Sequence, residues 1–134
     1  MSTLPEAANS PLDATLGHEI VEATADRVRS RCPVTDRVRQ PFGLVHGGLY
    51  ATMAETLASL GTHLGVEADD KIVFGQSNHT QFLRAVASGV VHAEARPRQR
   101  GRTLWIWDVD ITDDTGALCA ISRVTVAVRP ARRD

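Results

Sequence analysis

The stretch that most restricts the fold is Gln40 to Leu64, QPFGLVHGGLYATMAETLASLGTHL. It opens with a turn at Pro41–Gly43, passes His46-Gly47-Gly48, and becomes a proline-free run rich in Ala, Leu and Met. These residue types favour helix, and the run predicts one from about Gly47 to Leu64. Leu49, Met53, Leu57, Leu60 and Leu64 recur every three or four residues, so they form one apolar stripe. Gly48, Thr52, Glu55 and Ser59 follow the same spacing on a neighbouring face. Glu55 is the only charged residue between Arg39 and Glu67. A long apolar helix with a single carboxylate either turns that group to solvent or keeps it for chemistry.

The other predicted elements are extended. Gly17–Ala23 and Arg27–Val34 alternate weakly and read as a pair of strands. Strands are also expected over Ile72–Leu83, Ser88–Arg98, Leu104–Ile111 and Leu118–Val128. Gly75 interrupts the first of these and marks a bulge or a close backbone approach. Arg100-Gly101 and Asp113–Gly116 are turn sequences, so the late strands are antiparallel neighbours. The result is an α+β architecture with a long central helix wrapped by a curved antiparallel β-sheet. Trp105 and Trp107 share one strand face, and one helix is not expected to cover everything. An open apolar surface of that kind implies a homo-oligomer.

At 134 residues, 43% hydrophobic and a formal charge of -1, the chain is sized for one folded domain. Residues 1–13, polar and proline-spaced, are expected to be a flexible tail, with residues 14–134 forming the domain. No basic surplus suggests a nucleic-acid partner. No apolar run suggests a membrane span, and the N-terminus lacks signal-peptide character, so a cytoplasmic protein is expected. Cys32 and Cys119 lack metal-site spacing and are expected to be buried thiols. No metal, cofactor, serine-nucleophile elbow or nucleotide loop is indicated.

The chemistry that remains is compact. Gly47 and Gly48 open a helix whose first N–H groups lack intrahelical partners, a place where a carbonyl oxygen gaining negative charge is stabilised. Gly47 and Glu55 stand about 12 Å apart along the helix, too far for both to touch one reacting carbon. If both serve one reaction, they come from different chains. In the extended segment after the helix, Gln76, Asn78 and Thr80 share one face and Ser77, His79 and Gln81 the other, and either set could line a pocket. Basic residues gather at Arg96–Arg102 and Arg129–Arg133, a placement that suits one anionic group.

Three segments, GLVHGGLYATMAETLAS (43–59), GQSNHTQFLRAV (75–86) and WIWDVDITDDTGALCAISRVTVAVRP (105–130), resemble hotdog-fold acyl-CoA thioesterases. The likeness is greatest to the 4-hydroxybenzoyl-CoA thioesterases of soil actinobacteria and extends over nearly everything after Gly17. The resemblance implies Glu55 as the catalytic carboxylate, acting as nucleophile or as general base on water. It implies Gly47 N–H from a partner chain as the oxyanion donor, with Gln40 and His46 shaping the reaction centre. Ser59 would place the attacking water or the acyl-enzyme. Gly48, Asn78 and His79 would meet the substrate. The CoA nucleotide would lie near Arg102-Thr103, with Arg132 and Arg133 close by. CoA enters as part of the substrate, and the assembly would be a tetramer, a dimer of dimers with sites at the dimer interface. Phenylacetyl-CoA and 1,4-dihydroxy-2-naphthoyl-CoA are the alternative substrates, and a non-catalytic acyl-CoA-binding module is a further one. Hotdog dehydratases and hydratases use a positioned His–Asp pair, and none is evident in the sequence.

Overall fold

The computed structural model describes residues 10–131. In chain order they form helix α1 (Pro11–Leu16), strands β1 (Glu19–Ala23) and β2 (Val28–Pro33), helix α2 (Gly47–Val66), and strands β3 (Lys71–Phe82), β4 (Val90–Arg100), β5 (Leu104–Thr112) and β6 (Leu118–Pro130). The strands make one sheet in the order β1-β2-β4-β5-β6-β3, antiparallel throughout. This is the α+β hotdog architecture expected, with α2 wrapped by the sheet. The strand after α2 crosses to the far edge and pairs with β6. No helix among the described residues is long and apolar enough to cross a membrane.

Local chemistry sets the boundaries. His46 caps α2, its Nδ1 accepting the Gly48 N–H at 2.8 Å. The expected turn at Pro41–Gly43 is present: Gly43 N–H donates to Gln40 O at 3.0 Å, and Gly43 sits at φ 86°. Between β5 and β6, the Asp113 carboxylate accepts the Thr115 and Ala117 N–H groups at 2.9 and 3.0 Å, which closes that hairpin.

The leucine stripe faces the sheet as its spacing predicts. Leu49, Met53, Leu57 and Leu60 are buried, while Leu64 packs at the margin. The tryptophans correct an expectation. Trp105 and Trp107 are not an uncovered surface awaiting a second copy; both are buried beneath α2. Gly61 and Gly65, one turn apart, leave room for the indoles: a Cβ on Gly61 would come within 2.3 Å of the Trp107 ring, and one on Gly65 within 2.3 Å of the Trp105 ring. Trp107 Nε1 donates to Thr62 Oγ1 at 2.8 Å, so the indole is also satisfied in polar terms. The large exposed apolar residues lie elsewhere, among them Ile72 and Phe74 on β3, the edge strand beyond β6. Cys32 and Cys119 are buried free thiols.

Part of the segment expected as a tail, residues 1–13, is helical. Ser10–Asp13 are ordered: Ser10 Oγ accepts the Asp13 N–H, Asp13 accepts the Ser10 N–H in return, and Pro11 takes the first helical position. Residues 1–9 of the expected tail lie outside the described residues.

Candidate active site

Helix α2, strand β3 and helix α1 line an open cavity of about 820 Å³. Glu55, Ser59 and Thr52 reach it from α2, Asn78 and Thr80 from β3, and Leu12 from α1. Glu55 and Ser59 thus share a cavity, as their one-turn spacing implies. Glu55 is exposed within the single chain, as the solvent-facing alternative expects, and the solvent it meets is that of the cavity. Its carboxyl group lies against the backbone of β3 at Gly75, where a Cβ would stand 3.2 Å from the carboxyl carbon and 3.3 Å from Oε2. The pairing of β3 with β6 shifts between Gly75 and Ser77, so both the bulge and the close approach expected at Gly75 occur.

Asn78 braces this arrangement. Its Nδ2 donates to Ala51 O, one helical turn before Glu55, at 2.8 Å. Its Oδ1 accepts from Thr80 Oγ1 at 2.7 Å and Ser122 Oγ at 3.1 Å. Both amide heteroatoms therefore have protein partners, so Asn78 ties strand to helix at the cavity wall. His79 points away, on the other strand face, opposite Arg123, and does not line the cavity.

At the start of α2, His46 occupies the Gly48 N–H, and Leu49 N–H donates to His46 O at 3.0 Å. Gly47 N–H has no acceptor among the described residues. The Phe82 ring covers Gly47 so closely that a Cβ there would fall 2.5 Å from the ring tip. Gln40 is half-buried in the preceding loop, and its Oε1 accepts the Phe42 and Leu44 N–H groups. Gln40, His46 and Gly47 therefore gather at one end of α2, while Glu55 and Ser59 line the cavity further along it.

The basic turn is partly neutralised within the protein. Arg96 pairs with Glu94, and Arg100 pairs with Asp26 and stacks 5.5 Å over Trp105. Arg102 and Thr103 are exposed, and neither lines the cavity. The expected nearness of the chain's basic end holds for Arg129, which donates to Thr103 O at 2.7 Å. Arg132 and Arg133 lie outside the described residues.

One cluster was missed. Asp13 and His18 form a buried pair, with Asp13 Oδ1 2.8 Å from His18 Nδ1, and His18 Nε2 is 2.7 Å from Ser30 Oγ. Thr56 Oγ1, beside Glu55 in sequence, donates to Asp13 at 3.0 Å. A His–Asp pair therefore exists, contrary to the sequence reading. His18 is only 1% exposed and has Ser30 on its other nitrogen, so it is not presented to a substrate as a dehydratase would need. The signal was available: Ser10-Pro11-Leu12-Asp13 is a capping-box sequence.

Glu55 opens on a cavity that Asp13 also lines, and Gly47 carries a free N–H at the helix start; a carboxylate and an oxyanion donor are the two groups that hydrolysis of a good-leaving-group ester calls for. The thioesterase superfamily model matches residues 42–120, and the chain belongs to that family. It is a hotdog-fold acyl-CoA thioesterase. It is 38% identical over 122 residues, covering 91% of this chain and 98% of the other, to a 1,4-dihydroxy-2-naphthoyl-CoA hydrolase of Listeria monocytogenes. A thioesterase from Haemophilus influenzae has a similar structure, with TM-score 0.89 and 35% identity over 97% of this chain and 92% of that one. So does a mutant thioesterase from Pseudomonas aeruginosa, with TM-score 0.86 and 33% identity over 90% and 86%.

Proposed function

We propose that the protein hydrolyses an aromatic acyl-CoA of the 1,4-dihydroxy-2-naphthoyl class, releasing the free acid and CoA. The observation that carries this reading is the Glu55 carboxylate, seated against Gly75 and opening on a cavity of about 820 Å³. That volume lies within the roughly 300–1,000 Å³ of small-molecule sites. The likeness to the Listeria hydrolase moves the acyl group from 4-hydroxybenzoyl, the main reading of the sequence, to its dihydroxynaphthoyl alternative.

In this reading Glu55 attacks the thioester carbon directly or takes a proton from the attacking water, and Ser59 holds that water or the acyl-enzyme. Gly47 N–H of a second copy receives the developing oxyanion. Thiolate leaves readily, so one carboxylate and one helix start suffice without a dedicated general acid. His46 contributes by capping the helix, and the Gln40 loop fixes the approach to it. Arg102, Thr103, Arg132 and Arg133 serve the CoA phosphates. The second copy joins along β3, whose Ile72 and Phe74 are 47% and 49% exposed, and two such dimers make a tetramer.

CoA release from 1,4-dihydroxy-2-naphthoyl-, 4-hydroxybenzoyl- and phenylacetyl-CoA tests the proposal. The first is expected to give the highest kcat/KM, and Glu55→Ala is expected to lower kcat by at least about 10²-fold with little change in KM. Better turnover of either competitor overturns the acyl assignment. A Glu55→Ala enzyme with near-normal kcat overturns the role of that carboxylate.

A further inference from the structure

Helix α1 has only six residues, far too few to be stable alone. It is fixed by Asp13, which is 1% exposed. The Asp13 carboxylate receives Ser10 Oγ at 2.7 Å and Thr56 Oγ1 at 3.0 Å and pairs with His18 at 2.8 Å. Through His18 the chain of contacts continues to Ser30 on β2. The short helix is therefore bound at once to the sheet and to the turn of α2 that carries Glu55. Beside this anchor sits Leu12, which is 55% exposed and outside the hydrophobic core. Its side chain nonetheless lines the cavity shared by Glu55 and Ser59.

We propose that α1 is a wall of the acyl subsite and that Leu12 is a specificity-determining residue, packing against acyl groups large enough to reach it. This inference rests on the thioesterase reading of the Glu55 cavity. An alkyl side chain offers no hydrogen bond, so its contribution is contact and exclusion of water, and it grows with the flat apolar area of the acyl group. A bicyclic aryl group is expected to reach the wall, and a two-carbon acyl group to fall short of it. The buried Asp13–His18–Ser30 set, with half-buried Thr56, acts as positioning machinery that keeps the wall in place.

The test uses two non-hydrolysable thioethers, 2-naphthylmethyl-CoA and S-ethyl-CoA, titrated calorimetrically into wild type, Leu12→Ala and Leu12→Met. Leu12 is exposed, so all three are expected to melt together. Leu12→Ala is expected to weaken the naphthylmethyl compound about tenfold and the ethyl compound by less than about threefold, with Leu12→Met restoring most of the difference. In turnover of the corresponding thioesters the change is expected in KM rather than kcat. An equal effect on both thioethers, no effect on either, or failure of wild type to bind them overturns the inference. If the binding pattern holds but no thioester in the set is hydrolysed, the thioesterase reading falls while the role of Leu12 stands. If hydrolysis proceeds and the Leu12→Ala preference is unchanged, the reading stands and the inference falls.

Discussion

Asp13 and Glu55 are two carboxylates with opposite surroundings, and the difference decides what each can do. Burial alone would push the Asp13 carboxyl up, but hydrogen bonds from His18 and Ser10 outweigh it and hold the group below its ordinary value of 3.8. A carboxylate with a depressed folded-state pKa stabilises the fold above its unfolded value and loses that contribution as pH falls through the folded one. Asp13→Asn is therefore expected to lower stability at pH 7 by about 1–3 kcal/mol, the cost of disrupting a buried hydrogen-bonded group. Urea midpoints should show the gap to wild type narrowing once pH drops well below 3.8. A gap independent of pH would mean that the charge on Asp13 does not hold α1. Glu55, by contrast, was legible in the sequence because it stands alone in an apolar helix. For Asn78 the sequence left open which strand face meets a pocket, and alternation along a strand cannot distinguish a group awaiting a ligand from one already tied to a helix carbonyl.

At the scale of elements, α2 is defined by what it lacks as much as by its leucines. Alanine at position 61 would be favoured over glycine by about 1 kcal/mol of helix propensity. Here that gain is outweighed, because the new Cβ would lie 2.3 Å from a Trp107 ring that is fully buried and tied to Thr62. Overpacking of this kind costs about 1–3 kcal/mol. Gly61→Ala is expected to lower the thermal midpoint; a raised midpoint would show that the indole can move aside. The apolar period and the alanine-rich composition gave the helix, and the helix ran only slightly past Leu64. The pairing of Gly61 and Gly65 with Trp107 and Trp105 was not legible, because it depends on which strand lies beneath which turn. The same limit produced the error about the tryptophans: strand alternation places two side chains on one face without saying which face the helix covers.

For the molecule as a whole, the hotdog arrangement followed from element order and turn lengths, and the family resemblance followed from three segments spread along the chain. The proposal that two copies share each active site rests on the helix separation of about 12 Å between Gly47 and Glu55. Gly47→Val, which drives its side chain into Phe82, and Glu55→Ala should each be nearly inactive alone. Exchanged into mixed dimers, they should recover about one quarter of wild-type activity, since about half the dimers are mixed and each has one intact site. No recovery after verified exchange would place both groups of a site in one chain. The sheet order carries a further consequence, for the order in which the protein is made. Strand β3 has β6 as its sheet neighbour, and β6 is made after every other strand of this sheet. Until then β3 is an unpaired strand with Ile72 and Phe74 exposed, a template for aggregation. The Gly75 backbone against which Glu55 rests is unsupported for the same interval. A chain cut after Ala117 is expected to be insoluble and inactive even though it contains Gln40, Gly47, Glu55 and Ser59. The Glu55 carboxyl group therefore has its backbone seat supported only after β6 has been made and has paired with β3.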